Sequence, residues 1–290
     1  MSIASASTIR SELFRVPQLS FEDPTHYAIS TKQGDFESAN IIVSRLTQAS
    51  AIQGEILPIP APFPNSSYTL DFNGPGLSCS NVDSSAKQTF QTGILQSGSQ
   101  PLYMSWAGPA FPDLDTFGIM DPTILDLSSN DSSKVYVAVN DTTSSALTVT
   151  ECALMNVSYS VHFAFSSGNQ NITLTKKVVN GVPAHTNVTV EPVTTAYQSI
   201  MYAMNQLLSG TISDSPGGSL TYTNGLSAQL TPLGEVNPLC KVITSSGPSS
   251  TSGQYYGACQ DSSFPAALEE LFQNMTLSLL SNQYFWCVIK

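Results

Sequence analysis

Charge is what this chain has least of. Asp, Glu, Lys and Arg make up 11% of its 290 residues, less than half the usual globular share of about 25%. Arginine is confined to Arg10, Arg15 and Arg45, near the N-terminus. The net charge is −11 and the sequence pI is about 4.4. A phosphate backbone needs clustered cations, so nucleic acid is excluded as a partner. An anionic membrane surface is not held by charge either. Histidine is equally sparse: His26, His162 and His185 lie far apart and none is followed by Glu. That excludes a His-Glu-x-x-His metal helix. There is no Gly-x-Ser-x-Gly elbow, no Gly-Lys pair of a phosphate loop and no dinucleotide fingerprint. No cofactor is expected.

Long apolar runs are also missing. The start, MSIASASTIRSELF, has no apolar h-region and does not read as a signal peptide. Leu271 to Ile289 carries no charge, but Gln273, Asn274, Asn282 and Gln283 are too many amides for bilayer hydrocarbon.

What is present points to a folded, extracytosolic surface. Hydrophobic residues reach 41%, enough to build a core. Ser, Thr, Asn and Gln supply the polarity that charge does not. Asn-x-Ser/Thr sequons occur at Asn65, Asn130, Asn140, Asn156, Asn171, Asn187 and Asn274. Roughly four would arise by chance in so Ser/Thr-rich a chain, so seven is an excess. Sequons are used only in the secretory lumen. There are five cysteines, none in Cys-x-x-Cys, which removes zinc-ribbon and thioredoxin readings. In an oxidising compartment they make two bridges and leave one over. We pair Cys79 with Cys152, and Cys240 with Cys259 across a short Gly/Ser-rich loop that is easily closed. Cys287 is left over. The competing reading is five free thiols in a cytosolic binding module.

Residues 1–36 read as an irregular polar segment, 37–281 as a single ectodomain with a soft boundary near 192, and 282–290 as a tail. Glu37 to Gln53 is expected to be a helix with Ser38 as cap and Gly54 as stop. Pro58, Pro60, Pro62 and Pro64 then forbid helix and favour an extended strap over the domain surface, rather than a Pro-rich recognition ligand. Strands follow: Tyr68 to Phe72, a turn at Asn73-Gly74-Pro75-Gly76, then Lys134 to Asn140, Ser144 to Leu154, Ser158 to Phe165 and Gln170 to Val179. A hairpin turn is expected at Ser166-Ser167-Gly168-Asn169. Thr194 to Leu208 has helical periodicity, with Gly210 as stop. Ser213 to Gly257 reads as loops with one or two short strands. Ser263 to Ser281 is a helix capped by Ser263, with Glu269 and Glu270 suited to its positive end. Asn274 is expected on the flank of that helix's apolar stripe, where a glycan fits. The fold class is mainly β (α+β): an antiparallel sheet or sandwich with about three packed amphipathic helices.

Chemistry would have to come from carboxylates. Asp113 and Asp115 in PAFPDLDTFG could serve a hydrolase of cell-wall glycan, which needs two carboxylates about 5 to 10 Å apart. Glu151 is an acid within an apolar strand, for which the structural explanation is an ion pair to a lysine. The stretch from Asp126 through Ser128 and Asn130 imitates a calcium loop, but Asp131 stands where Gly is needed and Val137 where Glu is needed. No metal site is expected.

Three blocks, ILPIPAPFPNSSYTLDFNGPGLSC (Ile56 to Cys79), ECALMNVSYSVHFAF (Glu151 to Phe165) and LEELFQNMTLSLLS (Leu268 to Ser281), occur in this order. They resemble the non-cytosolic domain of a large uncharacterised family of multi-pass membrane proteins of filamentous fungi, often described as "formylmethionine deformylase-like". The resemblance covers roughly Val43 to Ser281. It implies a glycosylated domain hung between membrane helices, with Cys79 and Cys152 as natural bridge partners. It also implies that the remainder of a membrane-spanning chain is a partner, and that this chain, which stops at FWCVIK, is truncated. Deformylase chemistry does not carry over, because both the metal helix and a Gly-Cys-Leu ligand are missing. The expectation is therefore a non-catalytic ectodomain for surface sensing, adhesion or contact with a cell-wall or protein ligand.

Overall fold

A computed structural model describes residues 19–32, 36–88, 91, 101–108, 133–141, 146–182, 191–215, 219–223, 226–246 and 259–286. The chain opens with β1 (Ala28–Ser30) and β2 (Phe36–Ala39), which pair as an antiparallel hairpin. Helix α1 (Ile41–Gln53) follows. Then come β3 (Ser67–Asn81), β4 (Pro101–Ala107), β5 (Lys134–Asp141), β6 (Ala146–Ser166) and β7 (Asn169–Gly181). Helix α2 (Pro192–Leu208), β8 (Gly210–Ser215), β9 (Ser219–Thr223), α3 (Leu226–Gln229), α4 (Leu239–Ser246) and α5 (Phe264–Ser278) complete it. The main sheet is antiparallel in the order β3-β6-β5-β4-β8-β9, and β7 also pairs with β6. The fold is the mainly-β α+β class expected from the sequence.

Strand β6 organises the sheet. Its first part pairs with β5 and its second with β7, while β3 runs along its other edge. The two strands expected at Ser144–Leu154 and Ser158–Phe165 are therefore one, because β3 pairs across both without a break. The β6–β7 turn forms at the expected residues. Ser167 and Gly168 have φ of 51° and 82°, the positive values that a two-residue type I′ hairpin requires.

Asn73-Gly74-Pro75-Gly76 is not a turn but the middle of β3. Cys79 donates its N–H away from β6, to Glu269 Oε1 at 2.9 Å. By the two-residue repeat of an antiparallel strand, the Pro75 nitrogen also faces outward, where no ladder bond is lost. The glycines serve close packing: a Cβ on Gly76 would stand 2.5 Å from Val157 Cγ2. The core-facing side of both strands changes here. Tyr68, Leu70 and Phe72 face the core before this point and Leu77 and Cys79 after it, while on β6 Cys152 and Leu154 give way to Val157, Tyr159 and Val161. The ribbon also bends sharply. Tyr159 and Cys152 lie seven residues apart on β6, roughly 23 Å of straight strand. Yet Glu269 on α5 bonds both the N–H of Cys79, opposite Cys152, and Nζ of Lys176, opposite Tyr159, the latter at 3.1 Å. Glu269 is thus a clamp across the bend, and not the helix-end charge that its sequence position suggested. Ser263 stands at the N-cap of α5 without a side-chain capping bond.

One continuous apolar cluster runs from Leu19 to Phe285. Its axis is α2, buried on nearly every side, including Thr195, Gln198, Ser199 and Asn205. Ser199 and Thr195 return their hydroxyls to the carbonyls four residues back, at 2.8 and 3.0 Å. The Tyr103 hydroxyl of β4 donates to the Leu208 carbonyl at the end of α2, at 2.7 Å, satisfying one of the helix's last acceptors. A smaller cluster, including Met104, Trp106, Tyr136 and Val149, lies on the other face of β4, β5 and β6.

The ends depart from expectation. The segment expected to be irregular carries β1 and buries Leu19, Phe21 and Tyr27. The C-terminal tail buries Phe285, and Trp286 forms a bridge with Leu19. Helix α1 starts at Ile41, because Ser38 is committed to β2 and Asn40 supplies the cap by accepting from the Ile42 N–H. Gly54 ends it at φ 74°, as expected. The stretch after residue 213 holds α3 and α4 as well as β8 and β9. Its helices are short, and its Gly/Ser content masked them.

Burial also sets an alkaline limit. It pushes the Tyr68 and Tyr197 hydroxyls up to about 12 and those of Tyr103 and Tyr159 higher still. The folded chain holds these protons more tightly than the unfolded chain, whose phenols ionise near pH 10. Stability from this source is intact below pH 10 and is lost as the pH rises towards 12 and beyond. Phenolate absorbance should show these tyrosines ionising only together with loss of near-UV dichroism. If all 11 tyrosines titrated near pH 10 with the dichroism intact, the burial would be wrong.

Candidate functional site

The Pro-rich segment is a strap, as the sequence suggested. It crosses the tip of the β6–β7 hairpin, and proline spacing dictates how it is held. Prolines at 58, 60, 62 and 64 have no N–H and cannot join a ladder. Side chains anchor the strap instead. The Ile59 N–H donates to Gln170 Oε1 at 2.9 Å, and Gln170 Nε2 donates to the carbonyls of Ile56 and Leu57 at 3.1 and 3.3 Å. The Leu57 N–H donates to Ser278 Oγ at 2.9 Å. Leu57 and Ile59 are buried, whereas Phe63 is 43% exposed.

Between strap and hairpin lies a groove of about 740 Å³, within the usual ligand-site range of about 300–1,000 Å³. Ile56, Pro58, Pro64, Phe165 and Ile172 give it apolar walls; Glu55, Asn65, Ser166, Asn169 and Gln170 give it polar ones. Among the described residues its lining holds one carboxylate and no Lys, Arg, His or Cys. This chemistry suits a neutral ligand with hydroxyl or amide donors and an apolar face. Asn65 sits at the rim with φ 56°, a left-handed conformation that Asn tolerates. Its Oδ1 accepts from the Ser167 N–H at 3.2 Å. Gln170 is the key residue that sequence reasoning missed. Its only signal was its core-facing position in the alternation of β7.

Among the other expected sites, both disulfides are formed as paired, Cys79–Cys152 and Cys240–Cys259. Cys79 and Cys152 stand directly opposite each other on β3 and β6. Cys240 ties α4 to the segment that leads into α5. Cys287 lies outside the described residues. Asn171 is exposed on β7 and Asn140 half-buried on β5. Asn156 is half-buried; its Nδ2 donates to Asn180 Oδ1 at 3.3 Å and its Oδ1 accepts from the Tyr197 hydroxyl at 3.2 Å. Asn274 corrects the expectation of an open flank. It is 7% exposed, and its Nδ2, the atom a glycan would occupy, donates to the Gly54 carbonyl at 3.1 Å. The helix faces α1 at this point, so the flank is a helix–helix contact. Asn274→Ala should cost about 1–2 kcal/mol, read from the chemical-denaturation midpoint, and Asn171→Ala almost nothing in unglycosylated protein. Equal effects would remove Asn274 from the α1–α5 contact. Asn130, Asn187, Asp113, Asp115 and the Asp126–Asp131 stretch lie outside the described residues.

Glu151 has the structural explanation: Lys134 Nζ meets its Oε1 at 3.0 Å, and the Tyr136 hydroxyl, on the residue opposite, donates to Oε2 at 3.0 Å. His162 is exposed and contacts Thr69 Oγ1 across the strands. Among the described residues no group of three or more His, Cys, Asp or Glu is placed to hold a metal, and no helix is long and apolar enough to cross a membrane. No protein-family model, curated protein or solved structure matches this chain. Fold and site together define a disulfide-bonded α+β domain of the kind that forms in an oxidising compartment.

Proposed function

We propose that this chain is a non-catalytic, glycosylated ectodomain of a fungal membrane protein, with a role in sensing, adhesion or wall contact at the cell surface. The observation that carries this reading is the Cys79–Cys152 bridge, with Cys152 fully buried. A structural bridge inside the core belongs to a chain that folds where thiols oxidise. The exposed sequon at Asn171 and the low surface charge support the same compartment, and the three-block resemblance supports the membrane context. The groove gives no support to catalysis, since among the described residues its walls offer prolines, aliphatic side chains and amides around a single carboxylate. Glu151, the acid that a hydrolase would have borrowed, is engaged by Lys134 and Tyr136.

The test is expression of the complete reading frame in a filamentous fungal host, followed by endoglycosidase digestion. A shift in electrophoretic mobility is expected. An unshifted band would overturn the compartment and, with it, the ectodomain reading.

A further inference from the structure

We infer that the groove under the strap is filled by the chain's own N-glycan: the two N-acetylglucosamine residues nearest the protein, attached at Asn65, pack between strap and hairpin. This rests on the preceding reading that the chain enters the secretory lumen. The sequons differ in what their side-chain nitrogens do. Nδ2 of Asn274 is spent on the Gly54 carbonyl and that of Asn156 on Asn180. At Asn65 the opposite arrangement holds. Its Oδ1 takes the Ser167 N–H, which turns Nδ2 the other way, and this nitrogen has no protein partner among the described residues. The residue is exposed, and its left-handed turn holds it at the rim of the groove. Glycosylation there needs a lipid diphosphate-linked oligosaccharide. The Nδ2–C1 bond forms, the C1–O bond to the diphosphate breaks, one Nδ2 proton is lost, and the lipid diphosphate leaves.

The groove matches the sugar that this bond would deliver. A pyranose has an apolar face and a rim of hydroxyl donors, and N-acetylglucosamine adds an amide. The walls offer aliphatic and proline surface at Ile56, Pro58, Pro64 and Ile172, and acceptors at Glu55 and Asn169. Among the described residues no cation lines the groove, so its lining does not favour an anionic ligand instead. A tethered occupant also avoids most of the entropy that a free ligand loses on binding, because its effective concentration is set by the bond.

The chain is secreted from a glycosylating host, its site occupancy is mapped by glycopeptide mass spectrometry, and the native protein is treated with an amidase that releases N-glycans. Release at Asn65 should be slower than at Asn171 by about tenfold, since a packed glycan is reached only by local opening. Ser67→Ala removes the sequon and keeps Asn65. It should lower the Tm by several degrees in glycosylated protein and leave it unchanged in unglycosylated protein. Equal release rates with an unchanged Tm would overturn the assignment. An unoccupied Asn65 beside an occupied Asn171 would overturn it while leaving the secretory reading intact. A protein with no occupied sequon would overturn both.

Discussion

Replacing Cys79 and Cys152 together by alanine should lower the unfolding free energy by about 4 kcal/mol, seen as an earlier denaturant midpoint under oxidising conditions. The bridge joins residues 73 apart in sequence, and closing a loop of that length removes about 4 kcal/mol of chain entropy from the unfolded state. The double replacement avoids leaving a lone thiol in the core, where Cys152 is fully buried. The Cys240–Cys259 bridge spans only 19 residues, so its removal should cost less, about 3 kcal/mol on the same entropic scale. A midpoint that does not move when Cys79 and Cys152 are replaced would mean that the β3–β6 register keeps the chain folded unaided. The oxidising-compartment assignment would then lose its support.

Gly76→Ala should destabilise by about 2 kcal/mol, although alanine is the smallest possible addition. Its Cβ would stand 2.5 Å from Val157 Cγ2 and 3.0 Å from the Tyr159 hydroxyl. Neither neighbour can retreat easily. Val157 is β-branched, which restricts its rotamers, and it is buried. The Tyr159 hydroxyl is held by the Pro75 carbonyl at 2.8 Å. The strain therefore passes into the β3–β6 ladder where the ribbon bends. Gly181→Ala is the control: nothing lies within 4 Å of its added Cβ, so its effect should stay within about 0.5 kcal/mol. Urea midpoints at constant slope measure both. If the two substitutions behaved alike, the close approach at Gly76 would be refuted.

These residues show which parts of the fold local patterns reveal. Alternation marks the core face of one half of each strand: Tyr68, Leu70 and Phe72 on β3 face inward, as do Val161, Phe163 and Phe165 on β6. Ser167-Gly168 marked its turn because positive φ is a local demand that few residues meet. Gly54 marked the end of α1 for the same reason. Gly74-Pro75-Gly76 misled because the same composition suits a turn or a crowded edge strand. The choice depends on Val157, Tyr159 and the direction of the Pro75 nitrogen, none of which is local. Helix α1 began late for a related reason, since pairing between β1 and β2 claims Ser38.

The candidate site was legible only in pieces. The prolines announced a strap, and Asn65 announced a sequon. Gln170, which holds the strap 111 residues from Ile59, looked like one more polar residue beside a turn. Asn274 read as a surface glycan site because helical periodicity places it beside the apolar stripe. Only the packing of α5 against α1, which spends its amide on Gly54, decided otherwise.

The sequence by itself determined the fold class, the strap and the hairpin, and it favoured the short-loop Cys240–Cys259 pair. Each follows from periodicity, backbone restriction or cysteine spacing, which act along the chain. Tertiary structure alone decided that β3 and β6 bend together and that Glu269 clamps the bend. It also decided that Gln170 creates a groove and that the sequons differ in what their nitrogens can still do. These depend on contacts between residues distant in sequence, where spacing carries no information about which surfaces meet.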